Sequence, residues 1–394
     1  MLANKLLHDH LSDVCPDVHD NRLQAIMKVA YGLQKSQNLS LTAMGRKLNG
    51  DIDIKHKIKT VDRLENNKHL HGELSYIYSG LSNYLFKYLS KDKNMPVIID
   101  LCFLQDHNGI QMLSAEIASK GRSLPLYREI FNAGELKGRA KQFLSKLSEC
   151  IPTDKKILVI MDAGFGEDWF KEIESYNWYW LSRIRQGKSI KINDKWIKVK
   201  EFIDSIDIKA KCYNDAAILA KRDHQCRIVT KKNYTVSTRK KPLKLPRNYN
   251  AHRGRFSRSV KEPWILATNL PLEYKTVSIL NFYKKRMQIE ESFRDTKSHR
   301  YGLGARYART KCIYRWGVKM LLASIVQVVL WIIGIIGHNK NFQKKFQANT
   351  VKDKKLFSYF NLGQLITEHN MIEDLEINYK DIPLIIEQEL ARKW

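Results

Sequence analysis

The stretch Tyr283-Lys284-Lys285-Arg286-Met287-Gln288-Ile289-Glu290-Glu291-Ser292-Phe293-Arg294-Asp295-Thr296-Lys297 holds the densest set of chemically capable side chains in the chain. Read as one helix turning about 100° per residue, it puts Tyr283, Glu290 and Lys297 on one face. Arg286, four residues before Glu290, joins them. A carboxylate on such a face can hold a metal ion, and the phenol and cations around it can hold phosphates. A solvated, salt-bridged helix surface is the plain alternative.

Two aspartates far upstream favour the chemical reading. Asp100 closes the apolar run Val97-Ile98-Ile99, and Asp162 closes Ile157-Leu158-Val159-Ile160-Met161. Both runs read as buried strands, and ligands gather at strand ends in open α/β sheets. Two carboxylates side by side repel unless a cation neutralises them. A third from a helix would complete an oxygen-rich site for Mg²⁺, or Mn²⁺, which accepts the same ligands. Glu290 is the expected third ligand. Glu291 and Asp295 compete for that place, and helical phase favours Glu290.

Elements must position these groups. Residues 1–92 read as a helical domain, in which Leu39–Leu48 and Ile54–Leu64 flank the turn signal Asn49-Gly50-Asp51. That is a helix-turn-helix layout, with Lys55, Lys57, Lys59 and Arg63 on the second helix as candidate DNA contacts. Strand patterns alternate with helical spacing over 93–187: the two runs above, Gln111-Met112-Leu113 and Trp178–Arg183, with a helical stretch at 135–150. An α/β core follows from this. Residues 188–262 interrupt the pattern, and Trp264-Ile265-Leu266-Ala267-Thr268 resumes it within a second core segment, 263–338. A helical region, 339–394, closes the chain. Its residues 368–390 carry seven carboxylates and one lysine, which reads as a solvated helical surface or one docked on a basic face.

Net charge is +27, from 68 Lys and Arg against 41 Asp and Glu. Such an excess points to a polyanion, either nucleic acid or an acidic membrane. The one stretch resembling a membrane span, Met320–Gly337, includes Ser324, Gln327 and two glycines and reads better as a buried core helix. No signal-peptide pattern opens the chain. Residues 231–261 hold eleven Lys or Arg and no acid, with Tyr234, Tyr249 and Phe256 interleaved. Cations with rings suit a nucleic-acid groove, and Arg239, Lys240, Lys241, Arg253 and Arg255 are its candidate contacts. Six cysteines without a CxxC pair suggest neither a thiolate metal site nor a disulfide framework, and suit a reducing cytoplasm.

Tyr283, two residues, Arg286, three residues, Glu290, six residues, Lys297 resembles the Tyr-Arg-Glu-Lys signature of the insertion sequence four family of DDE transposases, most like the tetracycline-transposon type. Asp162-Ala163-Gly164-Phe165 and Val97-Ile98-Ile99-Asp100 resemble that family's two aspartate motifs. Gly121-Arg122-Ser123, Trp178–Arg183 and Tyr301-Gly302-Leu303-Gly304 are similar to further stretches of it, adding Arg122 and Arg183 as candidate DNA contacts.

The resemblance implies an RNase H-like core interrupted by a mostly β insertion, which fits 188–262. It implies two divalent ions held by Asp100, Asp162 and Glu290, with Tyr283, Arg286 and Lys297 on phosphates near the cut. It further implies cut-and-paste chemistry: a nick at each transposon end, hairpin formation by the freed 3′-hydroxyl, hairpin opening, and attack on target DNA. Trp264 resembles the tryptophan that stacks on a base flipped during hairpin formation; a strand-core tryptophan is the alternative. Transposon-end inverted repeats, target DNA and a homodimer on paired ends are the implied partners, in a bacterial cytoplasm near the nucleoid.

Overall fold

The run Ile157–Met161 has no polar residue to turn toward water, so as a strand it must be buried on both faces. The computed structural model, which describes residues 2–89, 94–104, 109–119, 121–219, 223–232, 262–351 and 356–391, bears this out. Its chain order is α1 (Leu2–Val14), α2 (Asp20–Ser36), α3 (Leu41–Arg46), α4 (Ile54–Glu65), α5 (Lys68–Leu89), β1 (Asn94–Phe103), β2 (Ile110–Ala118), β3 (Ser123–Asn132) and α6 (Arg139–Glu149). There follow β4 (Lys156–Met161), α7 (Glu167–Ser175), β5 (Tyr179–Arg183), β6 (Ser189–Ile192), β7 (Lys195–Lys198), α8 (Val199–Phe202), β8 (Lys211–Ile218), β9 (His224–Lys231) and β10 (Trp264–Thr268). The last elements are α9 (Thr276–Lys284), α10 (Met287–Lys297), α11 (Ile313–Asn339), α12 (Tyr359–Glu368) and α13 (Ile382–Ala391).

The expected mixture of strands and helices is thus present. The chain forms two compact units, residues 1–157 with 287–394, and residues 158–286. These limits differ from the segments drawn on the sequence, since the Glu290 helix joins the N-terminal region.

In the first unit β1, β2 and β3 form an antiparallel meander. Helix α11 runs through the unit's centre, with residues 316–337 buried throughout. It is long and apolar enough to cross a membrane, yet its whole apolar window is covered by protein. That suits a core helix, which is hydrophobic all round because it has neighbours all round. Those neighbours include α2, α5, α12, α13 and β3. Close approach of α11 to α12 depends on two glycines: a Cβ on Gly334 would lie 1.7 Å from the Tyr359 carbonyl oxygen, and one on Gly363 2.0 Å from that of Leu330.

The helix-turn-helix pattern appears as α3 and α4, packed together. Ser40 caps α3, its hydroxyl accepting from the Ala43 N–H. Lys55, Lys59 and Arg63 are exposed at four-residue spacing on one stripe of α4. The opposite stripe ends in Glu65, fully buried, which accepts from Lys319 and Arg315 of α11. Burial pushes the Lys319 ammonium below its usual range, with Glu65 opposing that shift. The α4 cations therefore stand on a helix anchored to the central core.

The acidic tail packs through its apolar side and one carboxylate, Glu389, which is 1% exposed and accepts from the Tyr359 hydroxyl. Tyr379 donates to Asp9 at 2.9 Å, and α13 lies against α5 and α11. Glu368, Glu373, Asp374, Glu376, Asp381 and Glu387 face solvent. Among the described residues, none of these six carboxylates forms an ion pair with a cation of the N-terminal helices.

In the second unit β4 and β5 are parallel, and β10, β9, β8, β6 and β7 continue the sheet antiparallel in that order. Residues 188–232 are thus mostly β. Helix α7 covers the sheet, Phe170 stacking on the buried Trp180 with ring centroids 4.3 Å apart.

Candidate active site

Residues 283–297 are not one helix. Helix α9 ends at Lys284 and α10 begins at Met287, and across the junction Lys285 N–H bonds to the Phe282 carbonyl and Arg286 N–H to that of Tyr283. These three-residue bonds tighten the turn and break helical phase. Glu290 and Lys297 keep their common face on α10, whereas Tyr283 belongs to α9. Tyr283 is only 4% exposed in the second unit, its ring edge-on to Trp264 at 5.2 Å and 76°. Nothing in the residue types at 285 and 286 announces the break, since Lys and Arg favour helices.

Asp100 is also placed differently from expectation. It does not end its strand, because Leu101, Cys102 and Phe103 continue β1 in register with β2. What the sheet supplies instead is a cross-strand row. Asp100 stands opposite Ser114, and Ser114 opposite Arg128. Residues directly opposite on antiparallel strands share a face. On that face Arg128 donates to the Ser114 hydroxyl (3.2 Å) and to Ser292 of α10 (3.4 Å). Asp100 therefore leaves the sheet on the side that α10 covers, and α10 packs on β1 and β3.

A buried network fixes this arrangement. Arg128 pairs with Glu116 at 2.8 Å, both side chains fully buried. Glu116 also accepts from Ser114 (2.9 Å) and Ser123 (2.6 Å). From α11, Gln327 donates to the Ser292 and Thr296 hydroxyls. At the far end of α10 the Lys297 ammonium donates to the Phe103 carbonyl (3.3 Å), clamping that end to the end of β1. The buried Cys102 thiol is pushed up to about 12 by desolvation, with Lys297 and Arg128 pulling it back.

The competitors of Glu290 have other partners. Arg122, 17% exposed at its side chain, donates to Asp295 at 2.8 Å and lies 3.4 Å from Glu291, which also pairs with Arg294. Burial pushes the Asp295 carboxyl up to about 7, with Arg122 opposing the shift. Arg122, expected on DNA, thus bridges two carboxylates of α10 to the β2–β3 connection. Glu290 instead lines a groove of about 600 Å³ with Arg294, Lys297, Arg300, Tyr301 and Arg306. Sequence reasoning passed over Arg300 and Arg306. The signal was present, because no acidic residue occurs between Thr296 and Lys352.

Asp162 follows β4 directly, at the carboxyl end of the parallel pair β4 and β5. Its carbonyl accepts from the Phe165 N–H (3.3 Å) in the turn that closes the strand, and Arg185 lies 4.0 Å from its carboxylate. Also in the second unit, Arg183 pairs with Glu262 at 3.2 Å, and Trp264 begins β10 half-buried. Arg239, Lys240, Lys241, Arg253 and Arg255 lie outside the described residues.

Carboxylates are the donors that Mg²⁺ and Mn²⁺ take, and Asp100 and Glu290 are half-buried on rigid elements, so the donor chemistry fits such an ion. Among the described residues no three His, Cys, Asp or Glu side chains are gathered as a metal-holding group.

Residues 137–312 match the family model of the transposase DDE domain, a span that takes in Asp162, Tyr283, Arg286, Glu290 and Lys297 and begins after Asp100. No curated protein matches the chain.

Proposed function

Taking the transposase DDE domain as the premise, we propose that this chain is a cut-and-paste DNA transposase of the insertion sequence four type, built on an RNase H-like core. The family match supports a DNA transposase, acting in DNA recombination, and that family generally uses a divalent metal. The observation that carries the finer reading is the setting of Glu290: a carboxylate on the helix that covers Asp100, in a groove otherwise rich in cations.

In this reading Asp100, Asp162 and Glu290 hold two Mg²⁺ or Mn²⁺ ions. When bound, such ions polarise the phosphate and make water a nucleophile at neutral pH. The protein's own groups do the rest. The Arg128 network fixes the helix that carries Glu290 over β1. Lys297, with Arg286, binds the phosphates beside the cut. Exposed Lys55 and Lys59 on α4 hold flanking duplex DNA in a sequence-independent grip. The substrates are the inverted repeats at the element's ends and a target duplex, with a homodimer assembled on paired ends.

Trp264 has the features of a stacking platform. Its indole is half-buried at a strand start, and a T-shaped contact with Tyr283 fixes its orientation. Unstacking a base costs a few kcal/mol, which an aromatic platform offsets. Trp264→Ala should therefore slow hairpin formation about tenfold or more while leaving first-strand nicking within about threefold. Time courses on a labelled end separate the two steps, and equal slowing of both would refute the stacking role.

A strand-transfer assay tests the reading as a whole. Pre-cut ends bearing a 3′-hydroxyl, given a target plasmid and Mg²⁺, should yield covalently joined product. Cleavage of intact ends without any joining would identify a nuclease, and binding without cleavage would identify a silent regulator.

A further inference from the structure

Resting on the reading of this chain as a DNA-acting protein, we propose that the segment after α10, residues 299–309, is a binding surface for an unpaired DNA strand, with phosphates on Arg300, Arg306 and Arg309 and bases on Tyr301 and Tyr307.

The charge is one-sided and available. Arg300, Arg306 and Arg309 are exposed, and among the described residues none of them has a carboxylate partner. Arg300 and Arg306 line the groove that holds Glu290 and Lys297, so a strand entering there would continue along this segment.

Rings stand among the cations. Tyr301 is 52% exposed and Tyr307 49%. The Arg300 guanidinium lies 5.1 Å from the Tyr301 ring centroid, on one side of the ring. Tyr307 forms a T-shaped pair with His299 at 5.5 Å and 73°, which orients the ring while about half of it stays exposed. A duplex keeps its base faces stacked and would find only the cations useful. Cations interleaved with exposed rings form the kind of surface that grips a single strand, since every base offers a π-face.

The segment is also held in shape before any ligand arrives. Leu303 N–H bonds to the Asp295 carbonyl (2.7 Å), Gly304 N–H to that of Ser298 (2.9 Å), and the Leu303 carbonyl accepts from Leu39 N–H (2.9 Å). Gly302 is required there, because a Cβ would lie 2.1 Å from the Asp295 carbonyl oxygen. A preorganised surface loses little conformational freedom on binding.

The test is fluorescence anisotropy with the full chain and two labelled probes: an arbitrary-sequence duplex, and the same duplex with a short oligo(dT) extension. EDTA keeps cleavage out of the measurement. Wild-type protein should prefer the extended probe by about tenfold. The Tyr301→Ala/Tyr307→Ala double variant should reduce that preference to about twofold or less and leave duplex affinity unchanged, while Tyr301→Phe/Tyr307→Phe should restore it. Arg300→Ala/Arg306→Ala should weaken binding of the extended probe and flatten its salt dependence by about two units of slope or less. The proposal is overturned if wild type shows no preference, or if the alanine variant keeps it. Binding of the duplex without preference overturns this inference alone, whereas binding of neither probe overturns the transposase reading too.

Discussion

Replacing Asp100 by Asn should slow DNA-end cleavage by about a thousandfold or more, because a lost metal ligand forfeits several kcal/mol of transition-state stabilisation. The fold should not register the change. Asn has nearly the same shape, and its side-chain oxygen can still accept from the Leu101 N–H, as Asp100 does at 2.8 Å. Position 100 lies within β1, paired on one side with β2, so the backbone there is set by the sheet and not by the carboxylate. End binding in metal-free buffer should stay within about twofold, since the proposed phosphate contacts are cations elsewhere. Cleavage rates on a labelled end, with anisotropy on the same DNA, give both quantities. Cleavage surviving at more than about a tenth of the wild-type rate would remove Asp100 from the metal site.

Replacing Arg128 by Met should cost about 3–5 kcal/mol of stability, the largest stability effect expected of any single change in the first unit. Its partner Glu116 has no exposed surface, so losing the guanidinium strands a carboxylate in the interior. Adding Glu116→Leu removes the stranded charge and should recover most of the loss, because an apolar pair can replace a buried ion pair. Function should part from stability in that double variant. Arg128 is also the link from β3 to Ser292 on α10, two residues from Glu290. The double variant should therefore fold well and still cleave at least about tenfold slower, as misplacement by about 1 Å costs that much or more. Urea unfolding and cleavage assays on the three proteins decide the matter. A loss below about 1 kcal/mol for Arg128→Met would mean that Glu116 finds water or another partner.

The sequence made the carriers of the site legible more readily than the geometry between them. Unbroken apolar runs before Asp100 and Asp162 marked buried strands, because only sheet interiors need so little polarity. Of the four cations expected on the second helix, Lys55, Lys59 and Arg63 form the exposed stripe of α4 while Lys57 is half-buried, and Met320–Gly337 marks the core helix. Strand β3 was not read, because Ser123–Asn132 includes Pro125, Arg128 and Glu129, which mimic a surface loop. Arg128 is buried there only because Glu116 and two serines receive its hydrogen bonds, and no local pattern shows such a partnership. Similarly, the Arg122–Asp295 bond joins residues 173 positions apart. Helical phase favours Glu290 on a face shared with Tyr283, yet the turn at Lys285-Arg286 interrupts the helix between them. Glu290 still lines the groove, while Arg122 engages both of its competitors.

Asp100, Asp162 and Glu290 are proposed as metal ligands of a DNA-cutting site, and an exchange of ligand softness puts that assignment to the test. Each is replaced in turn by Cys, with Glu291→Cys as the comparison, and end cleavage is measured in Mg²⁺ and in Mn²⁺. A thiolate is a poor ligand for Mg²⁺ but an acceptable one for the softer Mn²⁺. Asp100→Cys, Asp162→Cys and Glu290→Cys should lose cleavage in Mg²⁺ and regain a measurable part of it in Mn²⁺, while Glu291→Cys should cleave in both. Loss of cleavage by Glu291→Cys with Mn²⁺ rescue, or full activity of any of the three in Mg²⁺, would contradict that assignment.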